Sequence, residues 1–213
     1  MKKVFNKILL IVIGAMMTSM LHAAEFGTNS TNMSNTYLGG EIGTAVILAG
    51  YGTRTGQLEY THILGTEVVD GVKCVRVNSI RTEASEYTLI WIAADNNGDI
   101  YALKLCDPNN QPTCSEVGKD NAVLIMPKNP KVGDMIMGGS EEVVEVGVIV
   151  PQLSTGLGPF SGCIKTIEDD GDIEYSAPGF GIVKKEYSGE VGGWELSEIL
   201  KTKTRVAVIP LFD

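Results

Sequence analysis

The sequence predicts an all-β protein with one large antiparallel curved sheet, a half-barrel or barrel of about 10–12 short strands. Three observations predict this fold. Apolar and polar residues alternate at period two in most segments, turn residues separate these segments, and no window combines helical periodicity with helix caps. Aromatic residues at 7% and hydrophobic residues at 44% are typical of a globular chain of 213 residues.

Short turns connect the predicted strands. Asp70-Gly71 and Asp169-Asp170-Gly171 are typical of hairpin turns, and the acidic run from Asp95 to Asp99 forms another turn. Residues 87–94 are apolar on both faces, which indicates a strand buried within the sheet. The predicted strands cover residues 57–64, 74–77, 87–94, 100–105, 121–126, 143–150, 163–168, 172–175, 182–187, 194–200 and 204–209.

The first residues predict export from the cytoplasm. Lysines at positions 2, 3 and 7 precede an uncharged run over 8–20 that is too short to span a bilayer comfortably, and Ala23 and Ala24 offer a cleavage site. No cysteine lies near this site, so a lipid-anchored lipoprotein is not expected; an uncleaved N-terminal anchor is the alternative. We therefore expect a signal peptide over 1–24, a polar linker over 25–36 and a single β domain over 37–213, in a periplasmic or secreted protein.

The charge balance excludes one class of partner. The full chain has 17 Lys+Arg and 26 Asp+Glu, a formal charge of −9, and loss of the signal peptide would remove three lysines and no acid to give −12. Such a chain repels phosphate backbones and anionic headgroups. We expect no nucleic acid partner and no stable membrane insertion.

The four cysteines predict disulfide bonds in an exported protein. Cys106 and Cys114 flank a turn-forming insert, so they are the easy pair, and closing that loop contributes about 2.5 kcal/mol by the chain-entropy estimate. Cys74 would then pair with Cys163, although four cysteines allow three pairings in all. No Cys-x-x-Cys motif is present, which disfavours a metal or redox site.

The residues available for catalysis are few. His62 is the only histidine after the signal peptide, and it lies on an apolar strand face, where a histidine is more often structural than catalytic. The sequence contains no Gly-x-Ser-x-Gly elbow, Gly-rich phosphate loop or His-Glu-x-x-His motif. The acidic turns at Asp95 and Asp169 have strands on both sides, so ordinary turns are favoured over calcium loops. We expect no cofactor, no metal and no enzymatic activity.

Aromatic side chains on the predicted strands are the preferred candidates for ligand binding. If the sheet curls without closing, its concave face would present some of them to an apolar or amphipathic ligand. The residues assigned to this role are Trp91, Tyr101, His62 and Tyr60.

Two hairpins resemble motifs of a known kind of protein. Residues 91–101 resemble a Trp-x-Ala-x-Asp-x-x-Gly-x-Ile/Val-Tyr hairpin, and residues 175–184 resemble a Tyr-x-Ala-Pro-Gly-x-Gly-x-Val-Lys hairpin. Both are similar, in this order, to motifs of exported bacterial all-β proteins in uncharacterised families, and the likeness spans most of residues 55–200. A looser likeness in layout links such chains to half-barrel periplasmic lipoprotein carriers. The resemblance implies a fold and supplies no catalytic residues.

The sequence is compatible with three functions. The preferred one is an exported, non-catalytic binding or carrier protein that holds a hydrophobic small molecule or lipid on the curved sheet. The second is a structural or interaction module of the cell envelope with a protein partner, which would have a filled core and an exposed patch or edge strand. An enzyme is third, because it needs a cleft with converging carboxylates or His62 beside an acid.

Overall fold

The computed structural model describes residues 24–33, 37–38, 41–81, 86–106, 114–137 and 143–201. The predicted signal peptide, apart from Ala24, and the predicted strand 204–209 lie outside the described residues. Every regular element in the described part is a β-strand, which confirms the all-β prediction. No helix in this part is long and apolar enough to cross a membrane.

The sheet contains thirteen strands within the described residues, compared with about 10–12 predicted from the sequence. The first strand was not assigned from sequence, because its apolar run does not alternate. The strands are β1 (Thr44–Gly52), β2 (Leu58–Val69), β3 (Val72–Arg81), β4 (Glu86–Ala94), β5 (Ile100–Cys106), β6 (Cys114–Glu116), β7 (Val123–Met126), β8 (Met135–Met137), β9 (Val143–Thr155), β10 (Gly158–Ile167), β11 (Ile173–Ala177), β12 (Gly181–Glu186) and β13 (Gly192–Lys201).

All described strand pairs are antiparallel, and the strand order is β6-β5-β4-β3-β2-β1-β13-β12-β11-β10-β9-β8, with β7 paired to β5. The sheet is curved and is not closed into a barrel. Hairpins connect most neighbours, while the pairing of β1 with β13 joins the two halves of the chain. The predicted Asp70-Gly71 turn is confirmed, since both residues have positive φ angles, 47° and 78°.

Strand pairing defines two faces of the sheet. Ile63, Val77 and Ile90 are register partners on β2, β3 and β4, so they point to the same side. This side shares one apolar cluster with Val146 and Ile164, which belong to the strands at the other end of the sheet. Because both ends contribute to this core, we call this side the inner face and the opposite side the outer face.

β-Bulges account for the curl. The register shifts between Ile63 and Gly65 in the β2–β3 pair and between Trp91 and Ile92 in the β4–β5 pair, and further shifts occur in the β1–β13, β5–β7, β9–β10 and β11–β12 pairs. Each bulge adds a residue on one strand and increases the local twist. Repeated bulges thus bend the sheet until its two ends reach a common core.

The described part of the N-terminal segment, residues 24–33, packs against the sheet, although its polar composition indicated a linker. Phe26 packs edge-to-face on Tyr101, with ring centroids 5.9 Å apart, and Met33 lies in the inner core with 4% of its surface exposed. Ser30 donates from Oγ to the carbonyl of Lys73 at 2.7 Å, and its own carbonyl accepts from the amide of Ala94 at 2.8 Å. Two apolar anchors and paired backbone groups therefore hold this segment in place.

The cysteines form one disulfide bond in the described part of the chain. Cys106 and Cys114 are bonded, with Cα atoms 4.1 Å apart, as the turn-forming insert between them indicated. The predicted Cys74–Cys163 bond is wrong, because both residues have free thiols. Cys74 on β3 packs with Trp91 and Leu103, whereas Cys163 on β10 packs in a separate apolar cluster around Trp194. Both behave as small buried apolar residues.

Replacement of Met33 by alanine should lower the free energy of unfolding by about 2–4 kcal/mol, because it removes a large buried side chain from the inner core. Met135, which is 53% exposed, is the matched control, and its replacement by alanine should change stability by less than about 0.5 kcal/mol. Urea denaturation of both variants measures the difference. Equal stability of the two variants would show that the N-terminal segment is a linker without a role in the core.

Thiol titration should find two free thiols per chain after denaturation without reductant. In the native state neither should react quickly at neutral pH, because burial raises the pKa of Cys74 to about 11 and also raises that of Cys163. If the denatured chain had no reactive thiol, the free thiols of the structure would be contradicted and the predicted Cys74–Cys163 disulfide would be supported.

Candidate ligand-binding cleft

The four residues assigned to ligand binding all project from the outer face. Tyr60 and His62 pair with Ile80 and Asn78 on β3, on the side opposite to Ile63. Their rings pack edge-to-face at 6.1 Å. Strand alternation therefore places these side chains on the face opposite to the inner core.

Trp91 is a core residue of the outer face. It is 5% exposed and packs with Cys74, Leu103 and Cys106. Its indole Nε1 donates to Oε2 of Glu67 at 2.8 Å, and Nζ of Lys104 lies 4.6 Å from the ring centroid. A tryptophan with a satisfied N–H and a charged cover has little surface left for a ligand. The ring of Tyr101 packs edge-to-face against the ring of Phe26.

A cleft with a different lining lies elsewhere on the outer face. It has a volume of about 350 Å³, which is within the range of small-molecule sites. Its lining combines aromatic, acidic and small residues from β1, β11, β12, β13 and the adjoining turns. These residues are Tyr51, Gly171, Ile173, Glu186, Tyr187, Ser188, Glu190 and Gly192.

The register of four strands builds the floor of the cleft. Ile173, Glu186, Gly193 and Tyr51 are successive partners on β11, β12, β13 and β1, so they form one row across the outer face. A Cβ atom on Gly193 would lie 2.9 Å from the Tyr51 hydroxyl and would overlap the carbonyl oxygen of Lys185. Glycine at this position therefore allows the Tyr51 side chain to lie across the sheet.

Two ion pairs fix the polar side chains around the cleft. Nζ of Lys184 lies 2.6 Å from Oε1 of Glu186, and the Tyr175 hydroxyl lies 3.3 Å from Oε2 of the same carboxylate. On the other side, NH2 of Arg54 lies 3.1 Å from Oε1 of Glu190. Each lining carboxylate thus has a cation beside it.

Tyr187 is held from two directions. The Arg54 guanidinium lies 3.9 Å from its ring centroid, a cation–π geometry, and Nε1 of Trp194 donates to its hydroxyl at 3.0 Å. Burial raises the pKa of Tyr51 and, beside Glu186, that of Tyr175. The phenols therefore remain protonated at neutral pH and keep O–H groups that can donate and accept hydrogen bonds.

The acidic turn beside the cleft could hold a cation. Carboxylate oxygens of Glu168, Asp170 and Asp172 lie within 4.8 Å of one another. Two of these side chains already accept backbone hydrogen bonds, since Asp170 binds the amide of Asp172 and Asp172 binds the amide of Ser188. The turn at Asp95 is an ordinary one, because its Oδ1 accepts three backbone N–H groups.

None of the residues that line this cleft was predicted from the sequence to bind a ligand. Tyr51 lies on the unassigned strand β1, and its partners are over a hundred positions away in the sequence. The Gly192-Gly193 pair directly before Trp194 was the available signal, since two glycines at the start of a strand mark a close approach of another group.

Comparisons with known proteins identify no family. No family model matches the chain, and no curated protein matches it. A solved structure, that of a candidate lipoprotein from Parabacteroides distasonis, aligns over 78% of this chain and 99% of its own, with 12% identity and a TM-score of 0.40. A likeness at this level carries no argument about function. The family resemblance of the two hairpins therefore stays a prediction.

His62 should titrate below its ordinary pKa of about 6.5, because partial burial disfavours the charged imidazolium. As the pH falls through about 6.5, His62 becomes protonated in the unfolded chain before it does in the folded chain. The free energy of unfolding therefore keeps the contribution of neutral His62 above that pH and loses it below. Proton NMR of the mature chain measures the pKa, and denaturation of the H62Q variant measures the linkage. A pKa at or above 6.5 would contradict this expectation.

Proposed function

We propose that the protein is an exported, non-catalytic binding protein that holds an amphipathic, hydroxyl-rich ligand such as an oligosaccharide in the outer-face cleft. The observation that carries the proposal is the convergence of Tyr51 and Tyr187 with Glu186 and Glu190 around a depression of about 350 Å³.

The chemistry of the lining favours a neutral ligand. Tyrosine rings offer apolar faces for C–H groups, while their hydroxyls and the carboxylates offer hydrogen bonds at the ring edges. The carboxylates of Glu186 and Glu190 are already paired with Lys184 and Arg54, so the cleft has no unpaired charge that a ligand must neutralise. A saccharide has this combination of an apolar face and a rim of hydroxyl groups.

Non-catalytic binding agrees with the same residues. The lining contains no histidine or cysteine, and each of its two carboxylates is held in an ion pair, Glu186 with Lys184 and Glu190 with Arg54. His62 pairs with Ala45, six residues before Tyr51 on β1, which places it roughly 20 Å away along the strand. The proposed export is supported by the charge pattern of the first residues and by the Cys106–Cys114 disulfide.

Replacement of Tyr51 by alanine should weaken ligand binding at least tenfold, because it removes one wall of the cleft. Tyr60→Ala is the matched control, since Tyr60 is an aromatic residue on the same face outside the lining. A glycan array with neutral oligosaccharides identifies a ligand, and calorimetry compares the mature protein with both variants. Absence of binding, or equal loss in the two variants, would reject the cleft as the binding site.

An envelope interaction module is the second candidate, and exposed side chains along one described hairpin favour it. The hairpin formed by β9 and β10 exposes four large apolar side chains, which suit contact with a protein partner. These residues are Val148, Ile149, Leu157 and Ile167.

A further inference from the structure

The hairpin of β9 and β10 extends well past the strands beside it. Pairing of β10 with β11 ends at Ile164 and Ser176, and pairing of β9 with β8 covers only residues 143–145 of β9. Among the described strands, residues 151–162 therefore pair only with one another, as a two-stranded ribbon that we call the flap. A ribbon without flanking strands depends on other contacts for its position.

A break in the strand pairing separates the flap from the rest of the hairpin. The register of the neighbouring pairs places Pro151 on β9 opposite Gly162 on β10. Pro151 has no N–H to donate, and Gly162 has a left-handed backbone with a φ of 65°. The hydroxyl of Tyr37 donates to the carbonyl of Gly162 at 2.8 Å and holds this point against the body of the protein. The break therefore provides a hinge at the base of the flap.

The tip of the flap reaches across the outer face of the sheet. The amide of Gly156 donates to Oε1 of Glu195 on β13 at 2.8 Å, although β11 and β12 lie between β10 and β13. Glu195 pairs with Lys184 and Ala49, so it projects from the outer face as does Gly193 in the floor of the cleft. A hydrogen bond to a charged acceptor thus holds the tip beside the cleft.

The base and the tip of the flap are held differently. Near the hinge, Phe160 packs edge-to-face on Phe180 with ring centroids 5.1 Å apart, and it shares an apolar cluster with Leu153. At the tip, the Leu157 side chain is 49% exposed beside the polar contact of Gly156. Apolar packing therefore fixes the base, while the position of the tip depends on a hydrogen bond that water can replace.

The tip lies beside the cleft and leaves it open. No residue of the flap is among those that line the cleft in the described part of the chain. Glu195 is two residues further along β13 than Gly193 of the floor, a separation of roughly 7 Å. A movement of this size would bring the Leu157 side chain over the floor, beside Tyr51 and Glu186.

We propose that the flap is a lid for the outer-face cleft and that the hydrogen bond between Gly156 and Glu195 is the latch that holds it open. When a ligand occupies the cleft, the tip leaves Glu195, the flap turns at Pro151 and Gly162, and Leu157 covers the apolar face of the ligand. Closure buries the apolar surface of Leu157 and excludes water from the hydrogen bonds of the ligand, which offsets the loss of the latch. This inference rests on the proposed function for the use of the cleft, but the movement itself does not require a ligand.

The distance between two spin labels tests the lid in the mature full-length protein by electron paramagnetic resonance. The labels are attached through Leu157→Cys at the tip and Val191→Cys, on the side of the cleft floor opposite to Glu195, and both positions are exposed. The free thiols of Cys74 and Cys163 are buried and remain unlabelled in the native state. The ligand-free protein should give one main distance, with the tip latched at Glu195.

Loss of the latch should move the tip towards Val191. Glu195→Ala removes the acceptor, and Gly156→Pro removes the donor at a turn position where a Cβ atom would meet nothing within 4 Å. In each variant a population with a distance shorter by roughly 7 Å should increase about tenfold, the effect of losing one hydrogen bond to a charged group. Glu198→Ala is the matched control, because Glu198 is an exposed glutamate on the same strand, and it should keep the original distance.

Three results would overturn the lid. An unchanged distance in both latch variants would show that other contacts fix the tip, and a shift only to longer distances would show that the tip does not approach the cleft. An equal shift in Glu198→Ala would show an effect of charge alone. Because these measurements contain no saccharide, their failure is distinct from failure of the binding test with Tyr51→Ala. A closing flap without saccharide binding would reject the proposed ligand and keep the lid.

Discussion

One apolar core that both ends of the sheet share is the constraint on which the rest of the structure depends. Ile63 and Val77 from β2 and β3 pack in the same cluster as Val146 and Ile164 from β9 and β10. These contacts require a curl, and the bulges at Ile63–Gly65 and at other pairs supply it. The N-terminal segment adds Met33 to the same core. The inner face is therefore occupied by the protein's own side chains over the described strands.

Because the protein's own side chains occupy the inner face, the candidate ligand site lies on the outer face. There the pairing of β1 with β13 brings Tyr51 beside Gly193, and the pairings of β12 with β13 and β11 add Glu186 and Ile173. Lys185 and Glu174 are the neighbours of Glu186 and Ile173 along β12 and β11. The same register therefore places their side chains on the inner face. Adjacent positions of β12 thus face different environments, and the side chain of Lys184 is more exposed than that of Lys185.

Local features could be predicted from the sequence, and features that join distant strands could not. The Asp70-Gly71 hairpin and the Cys106–Cys114 pair depend on residues close in the chain, and both are present. The pairing of Cys74 with Cys163 was inferred by elimination, and it failed because β3 and β10 place the two thiols in separate clusters. Trp91 was predicted to bind a ligand because of its residue type. In the structure its indole N–H donates to Glu67 and Nζ of Lys104 lies over its ring.

The sequence by itself determined the all-β class, most strand positions and the tight turns, because period-two alternation and turn residues are local consequences of backbone geometry. Only the tertiary structure decided which face of each strand is inner. A single bulge reverses that assignment for every later residue of a strand, and bulges leave little trace in composition. For the same reason the cleft around Tyr51 and the contact of Glu59 with Lys185 arise from the curl, which brings together residues that no local pattern connects.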